Sequence, residues 1–350
     1  MSKNKKFPFV SICTPTFNRR PFIQMIIKCF NHQNYPKNRI EWIIIDDGTD
    51  KVEELFKDIP QVKYFKYDEK MNLGQKRNIM HEKSKGEIII YFDDDDYYPP
   101  ERVSHAVESL QKNPNVMIAG SSEMYIYFKH IQKMYKAGPY GERHSTAATF
   151  AFRREYLNQS HFENSAALAE ERFFLKNFTT ELVQMDPLKT ILVFSHDHNT
   201  FDKKKLLEQG TNQFFNVSDK TVDDFIKNPE IKKFFMEDID DLLKNYEPGR
   251  IENKPEVLKQ IEELKVQREK MMQDQQNQYQ QQMQQQIQNC HPQLARQIIE
   301  QNNINQLLNS QNIELKQKVQ YLEAKIKEII QNQIDQRKTI INTSVNTNTI

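Results

Sequence analysis

Cysteine, glycine and tryptophan are scarce in this chain of 350 residues, which has three cysteines, eight glycines and one tryptophan. Because Cys13, Cys29 and Cys290 form no C-x-x-C pair, the sequence indicates neither a disulfide framework nor a structural zinc site. No uninterrupted apolar run reaches the roughly 18 residues that span a bilayer. The basic start is too short and polar for a signal peptide. We therefore expect no transmembrane segment and a cytoplasmic location, or the host cytoplasm if the chain is viral.

An excess of charge of one sign is also missing, since 49 basic residues balance 48 acidic ones. Proteins that hold nucleic acid by bulk charge carry a basic excess, so we expect no nucleic-acid partner. The average conceals two regions of different composition. Aromatic, isoleucine and valine residues concentrate before about residue 246, and Gln, Asn, Lys and Glu dominate after it. We predict a folded domain over residues 7–245, a helical tail over 246–340 and a disordered end over 341–350.

Short apolar runs typical of buried strands alternate with amphipathic stretches typical of helices. The predicted strands are 9–13, 42–45, 62–67, 87–92, 117–119, 123–128, 149–152 and 190–194. The predicted helices are 21–31, 51–57, 74–85, 100–112 and 166–177. This alternation favours an α/β fold, with a mainly parallel sheet that carries helices on both faces. Ligands of such sheets bind beyond the carboxyl ends of the strands.

Four consecutive aspartates, Asp93 to Asp96, follow the fourth predicted strand. Adjacent carboxylates repel one another unless a cation neutralises them. Oxygen ligands at this density suit a hard divalent ion, Mg²⁺ or Mn²⁺, better than zinc. Alternation along an extended chain turns Asp93 and Asp95 to one side. A solvated acidic turn is the alternative, but the strand at 87–92 is too apolar for a surface segment, so the sequence predicts a metal site.

Two further polar clusters follow predicted strands or begin predicted helices. Asp46-Asp47-Gly48 ends the second strand, where a carboxylate can accept hydrogen bonds from a base or a ribose. A turn or a helix cap is the alternative role for this cluster. In the segment 72–78, Arg77 could pair with a diphosphate or with an aspartate. The start of a surface helix is the alternative there.

The chain resembles the family 2 glycosyltransferases in five blocks that occur in the family's order. The blocks are PTFNR (15–19), IIIDDGT (43–49), NLGQKRN (72–78), GEIIIYFDDDD (86–96) and PPERV (99–103). The resemblance covers roughly residues 7 to 200 and implies the GT-A fold, a Rossmann-like nucleotide-binding architecture. It also implies a nucleotide-sugar donor, with a UDP-sugar favoured, and Mn²⁺ or Mg²⁺ as cofactor. The acceptor is not identified by the sequence.

The resemblance assigns several residues to the donor site. It implies a nucleobase pocket formed by Thr14, Thr16 and Asp46, with Arg77 beside it. Asp93 and Asp95 match the family's D-x-D pair. The resemblance places Asp93 toward the ribose or base as well as the metal, and Asp95 on the metal that bridges the diphosphate.

Two residue pairs in the second half complete the predicted site. The family's catalytic base is usually the acid of a Glu-Asp pair, and Glu170-Glu171 occupies that place here. Glu171 is therefore the predicted base and Glu170 the alternate, although acids in a first helical turn also interact favourably with the helix dipole.

His196 and His198 follow the last predicted strand. Either imidazole could complete the metal shell, and His198 is the predicted ligand.

The implied activity is an inverting, metal-dependent sugar transfer in which Glu171 takes the proton from an acceptor hydroxyl. A sugar nucleotidyltransferase is one alternative. It is disfavoured because no Gly-rich phosphate loop with a following lysine appears near the first strand. A catalytically weak or inactive GT-A domain that serves as a coiled-coil interaction protein is the other alternative.

The tail carries seam residues at alternating spacings of four and three. They are Leu294, Ile298, Gln301, Asn305, Leu308, Asn312, Leu315, Val319, Leu322, Ile326 and Ile329. About five such heptads predict a coiled coil, and asparagines at seam positions favour a defined register, commonly a dimer. We therefore predict a homodimer through residues 294–330. A single solvated or partly disordered helix is the alternative, which the Gln-rich tract at 275–289 favours.

Overall fold

The computed structural model describes residues 7–208 and 210–289, together with scattered residues between 293 and 329. The first compact unit ends at Lys265 and the second begins at Val266. The division of the sequence into a domain to residue 245 and a tail from 246 stays a prediction. The predicted disordered end, 341–350, lies outside the described residues.

Eleven strands and nine α-helices are assigned among the described residues. The strands are β1 (Val10–Thr16), β2 (Ile40–Asp46), β3 (Val62–Lys66), β4 (Ile88–Tyr91), β5 (Ile118–Gly120), β6 (Met124–Phe128), β7 (Lys133–Ala137), β8 (Ala151–Arg153), β9 (Leu182–Gln184), β10 (Leu192–Ser195) and β11 (Phe215–Val217). The helices are α1 (Arg20–Asn31), α2 (Leu73–Lys83), α3 (Arg102–Lys112), α4 (Glu171–Phe174), α5 (Lys204–Glu208), α6 (Val222–Phe225), α7 (Pro229–Lys233), α8 (Ile239–Lys244) and α9 (Pro255–Asn289).

The larger sheet has the strand order β3-β2-β1-β4-β8-β5-β9. Strand β1 pairs in parallel with β2 and β4, so that Val10 lies opposite both Ile40 and Ile88. Strand β8 pairs antiparallel with β4 and β5. Strands β1, β2 and β4 are buried along their whole length, as expected of continuous apolar runs covered on both faces. The predicted α/β fold with a mainly parallel sheet is confirmed.

Helices cover both faces of this sheet because successive side chains of a strand point in opposite directions. Trp42 of β2 packs on one face with Phe30 of α1, whose ring stacks at 4.7 Å between centroids. The next residue, Ile43, packs on the other face with Met80 of α2 and Phe174 of α4. The two hydrophobic clusters hold the strand ends in register for the polar residues that follow them.

A second sheet of four strands, in the order β10-β6-β7-β11, was not predicted. Sequence analysis missed β7, β9 and β11, which are short and mix buried with exposed residues. The two sheets approach each other at a bridge where Tyr97 and Leu192 exchange backbone hydrogen bonds of 3.0 and 2.9 Å. This bridge brings the end of β10 beside the acidic run that follows β4.

The predicted helix at 166–177 is wrong in extent, because only Glu171–Phe174 is helical. Ala169 before it and the segment 176–178 after it have positive φ angles between 52° and 59°, which ends a right-handed helix. The helix predicted at 51–57 is a single 3₁₀ turn at Glu53–Phe56. The longer helices α1, α2 and α3 agree with their predictions to within a few residues.

The predicted long helical extension is confirmed by α9 and by the described residues between 293 and 329, all of which are helical. Leu308, Leu315, Val319, Leu322 and Ile326 of the predicted seam are each at least half exposed in this single chain. Seam residues 294 and 298 lie outside the described residues. None of the described helices is both long and apolar enough to cross a membrane.

Candidate active site

A cavity of about 130 Å³ lies where β1 and β4 end. Parallel strands place their carboxyl ends at one edge of a sheet, so residues distant in sequence meet there. Charged side chains of both signs line the cavity: Arg19, Lys70, Lys76, Arg77, Lys254, Asp93, Asp94, Asp95 and Glu256. An anion and a metal cation can both find counter-charges in this space.

The acidic run forms a turn directly after β4, and its side chains differ in exposure. The side chains of Asp93 and Asp95 are 26% and 15% exposed, whereas that of Asp94 is 7% exposed. Asp96 does not line the cavity and is buried. The two alternate residues are therefore the more accessible ones, in agreement with the pattern on which the D-x-D prediction depends.

Arg19, at the start of α1, is the cation nearest the acidic run. Its Nη2 lies 3.1 Å from Asp95 Oδ2 and its Nε lies 3.4 Å from Asp94 Oδ1. Burial alone would raise the pKa of Asp95, but Arg19 and His196 outweigh it and hold that pKa well below its usual range. Burial raises the pKa of Asp94 despite Arg19. Asp95 is therefore the carboxylate held in the ionised form.

The two histidines after β10 occupy different surroundings. His196 Nε2 lies 3.3 Å from Asp95 Oδ2. Burial lowers the pKa of His196 to about 4, so the imidazole is neutral, which is the form that ligates metals. The ring of His198 instead stacks on Tyr246 at 6.2 Å between centroids, and its backbone carbonyl accepts a hydrogen bond from Arg19. The structure thus places His196 at the acidic run, whereas the predicted ligand was His198.

Arg77 on α2 connects the acidic run to the glutamate pair. Its Nε donates to Glu170 Oε1 at 2.8 Å and its Nη2 lies 3.6 Å from Asp93 Oδ1. The guanidinium also lies over the ring of Tyr91, 4.3 Å from its centroid. Arg77 is fully buried, so each of these partners offsets the cost of removing its charge from water.

The loop before α4 is fixed to α2 by a close backbone approach. Gly74 donates its amide to the Ala166 carbonyl at 2.8 Å. A Cβ at position 74 would lie 2.0 Å from the Glu163 carbonyl oxygen, so only glycine permits this packing. The contact brings Glu170 and Glu171 within reach of Arg77.

Arg77 gives the two glutamates different surroundings. Glu170 is buried and forms the ion pair with Arg77. Burial, and then the neighbouring Glu170 carboxylate, raise the pKa of Glu171 to about 7. A carboxyl group that titrates near neutral pH can accept a proton during a reaction and release it afterwards.

The predicted nucleobase residues are engaged within the fold. Thr14 Oγ1 accepts a hydrogen bond of 2.9 Å from the Trp42 indole, inside the core. The Asp46 carboxylate accepts from Tyr64 and from the amide of Gly48 at 2.8 Å. Thr16 is buried beside Asp94. The structure does not bring these three side chains to the cavity lining, and their contact with a nucleobase stays a prediction.

The sequence model described as Glycosyl transferase family 2 matches residues 11–175. That segment, just under half of the chain, is similar to the family 2 glycosyltransferases. The mainly parallel sheet with helices on both faces is the kind of architecture that the resemblance implies. Every residue placed around the cavity so far lies inside the match except the histidines, Lys254 and Glu256.

Individual proteins named as glycosyltransferases are similar to part of this chain. An uncharacterized glycosyltransferase of Haemophilus influenzae is 33% identical over 120 residues, which cover 33% of this chain and 47% of the relative. The GalNAc(5)-diNAcBac-PP-undecaprenol beta-1,3-glucosyltransferase of Campylobacter jejuni is 33% identical over 116 residues, covering 31% and 35%. The chain thus spans less than half the length of each. The crystal structure of S. aureus TarS 1–349 with UDP-GlcNAc is similar over 53% of this chain and 58% of that one, at 16% identity and a TM-score of 0.45.

The acidic run fits the divalent metal that the family resemblance implies. In the part of the chain that the structure describes, no three His, Cys, Asp or Glu side chains are grouped to hold a metal by themselves. Asp93 Oδ1 and Asp94 Oδ2 are nevertheless buried without a hydrogen-bond partner among the described groups. Mg²⁺ is commonly held by one or two carboxylates together with substrate phosphates. The donor set therefore suits a metal that binds together with a diphosphate.

Sequence reasoning did not single out three basic residues that line this cavity. Arg19 lies in the block PTFNR and Lys76 in NLGQKRN, so both were within motifs that had been recognised. Lys76 forms a buried ion pair of 2.8 Å with Asp47. Lys254 lies beyond the family match and carries no local signal, because its position depends on how the chain returns to the domain.

Proposed function

We propose that this chain is an inverting glycosyltransferase that moves a sugar from a nucleoside-diphosphate sugar to an acceptor hydroxyl, with Mn²⁺ or Mg²⁺ as cofactor. The observation that carries the proposal is the meeting of Asp95, Arg19 and Arg77 in one cavity, with Arg77 also bound to Glu170, the chain neighbour of Glu171. The transfer requires a site that binds the diphosphate leaving group and a side chain that accepts the proton.

The donor diphosphate would lie between the cations and the acidic run. Asp93 and Asp95 would hold the metal, with His196 better placed than His198 to assist because its ring contacts Asp95. A bound metal would neutralise charge that develops on the departing diphosphate. Arg19 and Lys76 line the same space and supply further positive charge, so the chain itself can stabilise the leaving group.

The proton would be taken by Glu171. As the acceptor oxygen attacks the anomeric carbon, its proton passes to the Glu171 carboxylate, and the bond from that carbon to the diphosphate breaks. The electron pair of that bond leaves with the diphosphate, opposite the attacking oxygen, which inverts the configuration. Glu170 remains paired with Arg77 and keeps its neighbour's pKa raised. Glu171 then acts as base near neutral pH, with Glu170 as the alternate.

The nucleobase would lie next to the end of β1, near Thr14, Thr16 and Asp46, with Arg77 beside it. We favour a UDP-sugar as donor and leave the acceptor unassigned. The tail would associate as a homodimer through residues 294–330. The exposure of the described seam residues, such as Leu308 and Leu315, supports an association surface but does not identify the partner.

Calorimetric titration of the purified chain with UDP, GDP and the corresponding triphosphates, each with and without Mn²⁺, tests the proposal. We expect one nucleoside diphosphate to bind only when the metal is present, because its phosphates complete the ligand set of Asp93 and Asp95. Preference for a nucleoside triphosphate would instead favour a sugar nucleotidyltransferase. Absence of any binding would favour an inactive domain that serves as an interaction protein.

A further inference from the structure

A segment beyond the family match forms one wall of the donor cavity. We call residues 246–260 the strap. Lys254, Glu256 and Val257 of the strap line the cavity together with the acidic run. Val257 is 4% exposed, so this wall is part of the packed domain. The family match ends at residue 175, and the strap therefore adds residues that the shared sequence does not supply.

The strap is anchored on the side of α1. The Asn18 side chain donates to the Pro248 carbonyl at 2.9 Å, and Tyr246 donates to Asp50 at 2.8 Å. A Cβ at Gly249 would lie 2.7 Å from His198 Nδ1 and 2.8 Å from the Asn18 carbonyl oxygen. Glycine at this position lets the strap lie directly against the loop that carries Arg19.

The strap is anchored equally on the side of the glutamate pair. Lys70 forms an ion pair of 2.7 Å with Glu256. The Gln260 side chain donates to the Ser165 carbonyl at 2.6 Å and accepts from the Ala167 amide at 2.9 Å. These contacts hold the loop that precedes Glu170. The strap thus joins the two ends of the site, and Lys254 lies between its anchors.

The Lys254 side chain is a buried amine with a neutral hydrogen-bond partner. The residue is 6% exposed, and its Nζ donates to Thr200 Oγ1 at 3.1 Å. Among the described residues, none of the ion pairs found within 4.0 Å includes it. Burial, and then the charge of Arg19, lower the pKa of Lys254 well below its usual range, although Asp95 and Asp94 act in the opposite direction. A buried ammonium that lacks an anionic partner is costly, and an anion that enters the cavity would relieve that cost.

We propose that Lys254 is a donor-binding residue whose ammonium contacts the diphosphate of the nucleotide sugar. This inference rests on the proposed function, because it takes the donor to be a nucleoside-diphosphate sugar. Lys254 shares the cavity with Arg19 and Lys76, and three cations that face one acidic run suit a doubly charged diphosphate with its metal.

The size of the cavity bears on how the donor enters. At about 130 Å³ it is smaller than the roughly 300 Å³ or more of common ligand pockets. The cavity is open to solvent on one side, so a donor can place its diphosphate there while the rest of the molecule extends outside. If the Lys254 side chain only occupied the space that the donor takes, its replacement would strengthen donor binding instead of weakening it.

The test is calorimetric titration of the full chain with UDP and Mn²⁺, comparing Lys254→Met with the wild type. Loss of a charged contact to phosphate should weaken UDP binding roughly 10- to 100-fold. Lys254→Arg should restore most of the affinity because it keeps the charge. Lys259→Met is the matched control, since Lys259 is on the same strap with a side chain 79% exposed, and it should bind UDP as the wild type does.

Each outcome separates this inference from the proposed function. If the wild type binds UDP and Lys254→Met binds it equally or more tightly, the role of Lys254 is wrong and the proposed function stands. If the wild type binds neither UDP nor GDP with Mn²⁺, both are wrong. If Lys254→Met is unfolded by thermal melting, Lys254→Gln carries the same comparison. Failure of Lys254→Arg to restore affinity would also overturn the contact, because a charge in the same place should serve.

Discussion

The acidic run after β4 and the glutamate pair at the start of α4 both place adjacent carboxylates in buried or half-buried surroundings, and they relieve the repulsion differently. In the run, Arg19 and His196 contact Asp95 and keep it ionised. In the pair, Arg77 binds Glu170, and the pKa of Glu171 rises to about 7. One group presents a permanent negative charge, and the other presents a carboxyl that can change its protonation state.

This difference separates two kinds of chemistry within one site. A carboxylate that stays ionised is suited to hold a cation, and a carboxyl that titrates near neutral pH is suited to move a proton. Arg77 contacts both groups, since it reaches Asp93 at 3.6 Å as well as Glu170. The same arginine therefore couples the donor end of the site to the base.

Replacement of Asp95 should give the largest effect. We expect Asp95→Ala to lower sugar transfer by roughly 10³-fold or more, because the metal loses a ligand and charge on the leaving diphosphate is no longer neutralised. Release of nucleoside diphosphate from a donor that the wild type uses is the measurement, with Mn²⁺ binding followed by electron paramagnetic resonance. Asp223→Ala is the control, because that side chain is 70% exposed. Full transfer by Asp95→Ala would show that the metal ligand is misassigned.

Replacement of the base should give the next largest effect. We expect Glu171→Gln to lower kcat roughly 10²- to 10³-fold, because general base catalysis contributes about that much. Its affinity for UDP with Mn²⁺ should remain that of the wild type, since the acidic run is untouched.

Glu170→Gln sharpens the same comparison. That change weakens the buried pair with Arg77, so it should lower the melting temperature, which Glu171→Gln should leave nearly unchanged. If Glu171→Gln kept its turnover while Glu170→Gln lost it at unchanged stability, the alternate residue would be the base.

The pH dependence should give the smallest and most specific effect. Because the pKa of Glu171 is raised to about 7, the base is protonated and inactive below that pH. We expect kcat to rise roughly tenfold per pH unit below about pH 7 and to level off above it. Ionisation of Asp95 adds no further change in kcat in this pH range, since the pKa of Asp95 is held well below its usual value. A profile that stays flat through neutral pH in the wild type would contradict the assignment.

The parts of the fold that depend on local sequence were predictable. Strands β1, β2 and β4 are continuous apolar runs, and each leads into polar residues at the expected edge of the sheet. The second sheet was not predictable in the same way. Strand β11 pairs with β7, which is distant in sequence, whereas β7 itself pairs with its chain neighbour β6. The sequences of β7 and β11 alternate too weakly to indicate a strand.

In the candidate site, too, some residues were indicated by local sequence and others depend on tertiary contacts. The acidic run, Arg77 and the glutamate pair were found because they lie in motifs at strand ends or helix starts. Thr14 was found by motif as well, but its hydroxyl is bonded to Trp42 in the core, a contact that depends on the packing of β1 against β2. Arg19 was quoted within a motif and given no role, because its contact with Asp95 joins residues 76 positions apart.

The sequence by itself determined the α/β class, the resemblance to the family 2 glycosyltransferases and the candidate carboxylates for a metal or a proton, since these follow from local composition and the order of motifs. Only the tertiary structure decided which carboxylate is ionised, which histidine contacts Asp95, and that Lys254 reaches the cavity. Those properties arise from burial and from charges brought together across long separations, and the energy of a buried charge depends on neighbours that no local pattern specifies.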